Sequence, residues 1–208
     1  HLENLAGLRP SLSAFVVYLA TDLDLSRYAH AHETFFYADL DHDRRYAATA
    51  AGRADWFSAT VPTLVDPAMA PPGQHLMLLT ALCPYVPGAS WRSAKPEFQQ
   101  RLLEQAERHF PGLNSRLAFV ESGSPRTVER YTLNGQGAAY GWEPSLDQIG
   151  SRRPGVRGVL PGLYHAGHWT RPGGGIAAVS YSGVLAAQAV LGIRRQEDFW
   201  KALEAAAR

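Results

Sequence analysis

Gly162-Leu-Tyr-His-Ala-Gly-His-Trp-Thr-Arg-Pro-Gly-Gly-Gly-Ile-Ala-Ala-Val-Ser-Tyr-Ser-Gly183 is the stretch whose reading decides the fold. Leu163 to Ala166 is a short apolar run bounded by glycines, which predicts a buried strand. Ile176, Val179, Gly183, Val184, Ala187, Val190 and Leu191 recur at helical spacing and predict a helix with an apolar face. The unit is strand, glycine-rich loop, helix. Gly173, Gly174 and Gly175 remove every Cβ where the helix starts, so a planar or anionic group can approach the free backbone N–H groups at the positive end of its dipole. Two readings follow, a cofactor seat or a tight turn whose glycines serve packing alone.

Upstream, strands dominate. Ser11 to Leu19 is rich in β-branched and aromatic residues, and Glu33 to Tyr37, Trp56 to Val61, His75 to Cys83 and Ser115 to Glu121 are further strand candidates. Short connections between the first four favour an antiparallel sheet. Tyr46 to Arg53 predicts a short helix. Phe98, Leu102, Ala106 and Phe110 lie four apart within a helix over Lys95 to Phe110, stopped by Pro111-Gly112. Ser124-Pro125 opens a helical turn through Tyr131, Asn134 to Trp142 is a glycine-rich loop, and Gln196 to Arg208 is a closing helix that buries Phe199, Leu203 and Trp200. The fold class is α+β, a mainly antiparallel sheet with covering helices followed by the strand–glycine loop–helix unit, because a doubly wound fold would alternate strands and helices throughout. The domain boundary is expected near residue 150, giving 1–150 and 151–208.

With 46% hydrophobic residues the chain can bury a real core. Its 20 basic and 19 acidic residues are spread evenly, which argues against a nucleic-acid partner. The single cysteine, Cys83, excludes an internal disulfide and suits a reducing compartment. No stretch approaches the about 20 apolar residues of a membrane-spanning helix, and His1-Leu-Glu-Asn-Leu5 lacks the pattern of a signal peptide. A cytoplasmic location is expected, with peripheral membrane contact left open.

His30 and His32 with Asp39, Asp41, His42 and Asp43 form a conceivable metal set, but the carboxylates fall in a turn and fix no ligand order; a solvated acidic turn is preferred and no metal is assigned. No G-x-S-x-G nucleophile elbow is present. Arg152-Arg153 could hold an anion or pair with carboxylates at the surface. Tyr140 and Trp169 are aromatics in glycine-rich loops, either substrate walls or packing against the sheet. No G-x-G-x-x-G follows a strand, so a dinucleotide at residues 167–178 would find only part of its pocket here.

Leu163 to Ile176 resembles the C-terminal flavin signature of the carotenoid desaturases and isomerases, the phytoene-desaturase-like branch of the FAD-dependent amine oxidase superfamily. Ser13 to Leu19, Val61 to Gly73, Ser124-Pro125, Gly137 to Gly141 and Arg153-Pro154 agree in order, so the similarity covers nearly the whole chain. The resemblance implies the C-terminal part of such an enzyme: residues 1–150 as a substrate-binding domain, and 151–208 as the end of an FAD-binding domain whose Rossmann half lies in a missing N-terminal part or a companion subunit. By position, Gly167 and His168 would line the ribityl chain, and Gly174, Gly175, Ile176 and Ala177 would approach the isoalloxazine ring. His168 stands where many relatives carry an acidic residue.

What the resemblance implies is an FAD-dependent oxidoreductase doing redox or isomerisation chemistry on an apolar polyene-like substrate, with no general acid or base identified. Two alternatives stand beside it, a non-catalytic hydrophobic-ligand-binding or assembly module and a related FAD amine oxidase. An apolar face around Val179 to Val190 is expected, where missing protein would pack or the chain would self-associate.

Overall fold

The computed structural model describes residues 5–29, 31–53, 55–85 and 90–206. Two compact units are present, one spanning Leu12–Ala138 and the other formed by the residues up to Ser11 together with those from Ala139 onward.

The first unit is built on a five-stranded antiparallel sheet of β1 (Ser13–Thr21), β2 (Glu33–Tyr37), β3 (Trp56–Thr60), β4 (His75–Cys83) and β5 (Leu117–Gly123), in the order β2-β3-β4-β1-β5. Side chains alternate across a strand. One face carries Phe15, Val17 and Leu19 of β1, Met77, Leu79 and Ala81 of β4, and Phe57 and Ala59 of β3, all buried. Helix α2 (Trp91–Glu107) lays Phe98, Leu102, Leu103 and Ala106 on this face, and the Phe15 and Phe98 rings lie 4.6 Å apart. Each buried leucine, valine, methionine or phenylalanine here contributes about 1.5–3 kcal/mol. The predicted stripe is therefore the core seam, yet the helix begins four residues before Lys95. Trp91 packs on Phe15 at 5.9 Å, and that burial outweighs the cost of carrying Pro96 inside the helix.

Helix α1 (His42–Ala50) also starts earlier than its apolar pattern suggests. Asp41, in the acidic turn, caps it by accepting from the Arg44 amide at 3.0 Å. Helix α3 (Pro125–Thr132) begins at a capping box formed by Ser124 and Thr127.

The other face of the sheet is fixed by register. Val16 stands opposite Thr80 and Gly123, Tyr18 opposite Leu78 and Glu121, and Ala20 opposite Leu76 and Phe119. Phe35, Tyr37 and Trp56 continue the face with stacked rings 5.5–6.5 Å apart. A solvated face would alternate polar residues here; this one is largely apolar and aromatic, and Tyr18, Phe35, Tyr37 and Phe119 are exposed.

In the second unit, residues 9–11 pair with residues 141–143. The Ser11 amide donates to Gly141 O, the Glu143 amide donates to Arg9 O, and buried Gln148 bonds both ways to the Arg9 backbone. Residues 139–150, which the sequence groups with the sheet, thus pack with the C-terminal part. The strand predicted at Leu163 to Ala166 is reduced to a single bridge between Arg157 and Tyr164. Its backbone bonds run to Val156 and Gly158 and, in a turn, from the Leu163 amide to Leu160 O, so no ladder extends it.

Helix α4 (Ile176–Leu191) and helix α5 (Gln196–Ala206) follow. The period of α4 is as predicted, and the apolar face expected around Val179 to Val190 is partly exposed. Ser182 and Gln188 are its buried residues, while Ile176 is 90% exposed and Val190 and Leu191 are each 60% exposed. Of the α5 residues expected inside, Phe199 is buried and Trp200 and Leu203 are exposed. Among the described residues no single helix is long and apolar enough to cross a membrane.

Candidate functional site

The loop from Gly167 to Gly175 is held by its own unit. Buried Ser182, more than one and a half turns inside α4, accepts from the Gly167 amide at 2.7 Å and donates to Val179 O at 2.6 Å. The Gly167 N–H is therefore spent on the scaffold, although the space where its Cβ would stand is open.

Arg153 pins the loop from beneath. It is 3% exposed, and its guanidinium donates to His168 O at 3.1 Å and to Trp142 O. Surface pairing with a carboxylate does not occur: Arg153 is inside, where burial pulls its pKa down. Gly173 packs directly on this guanidinium. His168 is half-buried. Burial lowers its pKa, the Arg153 charge adds to this, and a hydrogen bond to the Ala139 backbone opposes it. Its ring meets Trp169 edge-on at 5.4 Å, and Trp169 meets Trp142 in the same way at 4.8 Å. Trp169 thus takes part in an aromatic cluster within the loop.

Gly141 shows why glycine is required where loops cross. At φ +69, a Cβ would stand 2.7 Å from the His168 carbonyl carbon and closer still to its oxygen. Only glycine allows both the left-handed backbone and this approach. Tyr140, partly exposed, lies next to it and packs on Gly174, so the two predicted site residues are brought together.

Gly175 differs. It is the N-cap of α4 at φ +100 and ψ 145, with no atom within 4 Å of its Cβ position, no side-chain cap and no acidic residue in the first turn. Ile176 and Ala177 are exposed beside it. The first-turn amides receive no side-chain oxygen from the cap, a polarity that suits an anionic or electron-rich ligand edge.

Three residues of the conceivable metal set are engaged elsewhere. Asp39 pairs with Arg44 and Arg45, Asp41 caps α1, and His42 meets Tyr37 edge-on; His30 lies outside the described residues. Cys83 is buried in the core, where its thiol is pushed up to about 12. Sequence reasoning missed Ser182 and the inward role of Arg153. A serine more than one and a half turns into a mainly apolar helix was the available signal for the former.

The sequence profile of the flavin-containing amine oxidoreductases matches residues 3–191. The chain belongs to that family. Phytoene dehydrogenase of Streptomyces griseus is 34% identical over 90% of this chain and 38% of that protein. Chloroplastic prolycopene isomerase of Arabidopsis thaliana is 31% identical over 63% of this chain and 23% of that protein, and the lycopene-forming phytoene desaturase of Pseudescherichia vulneris is 32% identical over 81% and 35%. The chain is thus a phytoene-desaturase-like member of the family, and it spans at most 38% of the length of these relatives. An oxidoreductase from Methanosarcina mazei shares the fold, with a TM-score of 0.50 at 21% identity over 92% of this chain and 36% of that one.

Proposed function

We propose that this chain supplies the isoalloxazine-facing loop and the substrate-covering sheet of an FAD-dependent oxidoreductase of the phytoene desaturase type, with redox or isomerisation chemistry on an apolar polyene-like substrate. The Rossmann half that grips the nucleotide end is further protein. The observation that carries the reading is the start of α4, where Gly175 leaves an open, uncapped helix N-terminus beside Tyr140 and Gly174 in a chain of a flavin-containing family.

The residues present fit the group. Gly175, Ile176 and Ala177 would present main-chain donors and the positive helix end to the pyrimidine edge of the ring, where negative charge develops on reduction. Gly174, held by Tyr140, would set the distance of closest approach. Gly167 and His168 would border the ribityl chain, through open space at the former and the ring of the latter. Flavin, when bound, supplies the two-electron redox chemistry; this chain's part is to orient the ring and exclude water. The apolar outer face of the sheet, with Val16, Tyr18, Leu78 and Phe119, suits a hydrocarbon substrate. The exposed apolar residues of α4 support packing against further protein.

The test is co-expression of the chain with a Rossmann-bearing N-terminal portion of a related desaturase. A co-purifying yellow complex with flavin absorbance is expected, with Gly175→Val losing flavin while the pair still associates. A colourless pair that does not associate refutes the reading, and a colourless monomer that binds hydrophobic ligands favours a non-catalytic module.

A further inference from the structure

We propose that the C-terminal unit carries a binding cleft for a phosphate-bearing ligand, built from arginines that make none of the proposed flavin contacts. A cleft of about 510 Å³ is walled by Arg152, Arg153, Arg157 and Arg171, and a second of about 540 Å³ shares Arg157 and Arg171 with it and adds Arg194. Among the described residues no aspartate or glutamate lines either cleft. Among the described residues none of these arginines has a carboxylate within 4.0 Å. In a chain with 20 basic and 19 acidic residues this is a local segregation of charge.

Backbone carbonyls hold several of the guanidinium groups. Arg152 donates to Leu146 O at 2.6 Å, Arg157 to Ala189 O at 3.4 Å, and Arg153 to His168 O and Trp142 O. Arg171 lies against Gly155, where a Cβ would stand 2.7 Å from its Nη2. A guanidinium has five N–H donors, so most remain to be used. The Nε of Arg153 is buried and has no acceptor, in a side chain that is 3% exposed. Like charges gathered round one opening repel, and a polyanion relieves that repulsion.

The cleft is also preorganised. The Arg171 amide and the Thr170 hydroxyl both donate to Pro154 O, at 2.9 and 2.7 Å, and the His165 amide donates to Val156 O at 2.7 Å. These bonds lock the segment bearing Arg153 and Arg157 against the one bearing Arg171. Arginine forks match tetrahedral oxyanions bidentately, and several of them together suit a phosphomonoester or a diphosphate better than a single carboxylate. Leu5, Leu8 and Val156 give the first cleft an apolar wall for the remainder of such a molecule.

The experiment is calorimetric titration of the 208-residue chain with sodium diphosphate at fixed ionic strength, without flavin, so its result does not depend on the oxidoreductase reading. Saturable binding of one diphosphate per chain is expected, weakened at least tenfold by Arg157→Gln and by Arg171→Gln. Arg101→Gln, on α2, is the control and leaves it unchanged. Heats equal to dilution, or equal affinities in all three variants, would overturn the proposal. Flotation with phosphatidylcholine vesicles, with and without phosphatidic acid, separates the sources. Capture that requires phosphatidic acid and is displaced by diphosphate assigns the site to a lipid headgroup; diphosphate binding without capture assigns it to a soluble phosphate.

Discussion

Replacing Gly141 by alanine should loosen the loop that carries the candidate flavin seat. Its φ of +69 lies in the left-handed region, which costs a residue with a Cβ about 1–2 kcal/mol. The new methyl group would also meet the His168 carbonyl, 2.7 Å from its carbon and closer to its oxygen, with the Trp169 amide nitrogen at 3.0 Å. That carbonyl accepts from Arg153 at 3.1 Å, so it cannot withdraw without giving up a hydrogen bond to a charged donor, worth about 1.5–3 kcal/mol. The two costs together come to about 2.5–5 kcal/mol. Because the chain has two units, one global unfolding transition is a poor readout. Amide hydrogen exchange followed by mass spectrometry on peptides covering 139–175 reads the loop directly, and 2.5 kcal/mol corresponds to about 70-fold faster exchange. Gly183→Ala, in α4 with nothing within 4 Å of the added methyl, is the matched control. Exchange in Gly141→Ala within threefold of the wild type would refute the crossing of these loops as described.

Three further outcomes are expected. Ser182→Ala removes the acceptor of the Gly167 amide and should destabilise the C-terminal unit by about 1–3 kcal/mol, seen as faster exchange at Gly167 and in the first turns of α4. Leu102→Ala opens a cavity between α2 and the sheet and should cost about 2–5 kcal/mol in urea unfolding of the sheet unit; a loss below 1 kcal/mol would contradict its full burial. For His168, whose pKa burial and the Arg153 charge hold below the usual imidazole value, the folded state favours the neutral ring. Its contribution is then complete above about pH 6.5 and declines as pH falls through the lowered folded value. Loop exchange should rise on acidification, His168→Gln should flatten that response, and an imidazole titrating at or above 6.5 by NMR would count against the assignment.

The sheet was legible because its signals are local. Glu33–Tyr37 and His75–Cys83 are strands at the bounds their composition suggests, and the four-residue repeat from Phe98 to Phe110 faces the core. Helix starts were harder, since a cap or a distant contact sets them: Asp41 for α1, and Trp91 on Phe15 for α2. The glycine-rich stretch was read correctly as loop then helix, but hydrophobic periodicity cannot say what covers a face. In α4 the polar Ser182 turns inward to hold Gly167 while Ile176 meets solvent. Likewise, nothing in an Arg-Arg-Pro string distinguishes Arg152, outside, from Arg153, which is buried because carbonyls from two separate loops converge on it.

The alternation along β1 has an evolutionary corollary. Phe15, Val17 and Leu19 anchor the hydrophobic interior, whereas Val16, Tyr18 and Ala20 belong to the opposite side and contribute little to that interior. Mutations can therefore accumulate at even-numbered positions, reshaping the outer face of the sheet, while the odd-numbered ones keep the architecture intact. Such a division of labour by parity lets one scaffold diversify that surface at small thermodynamic risk.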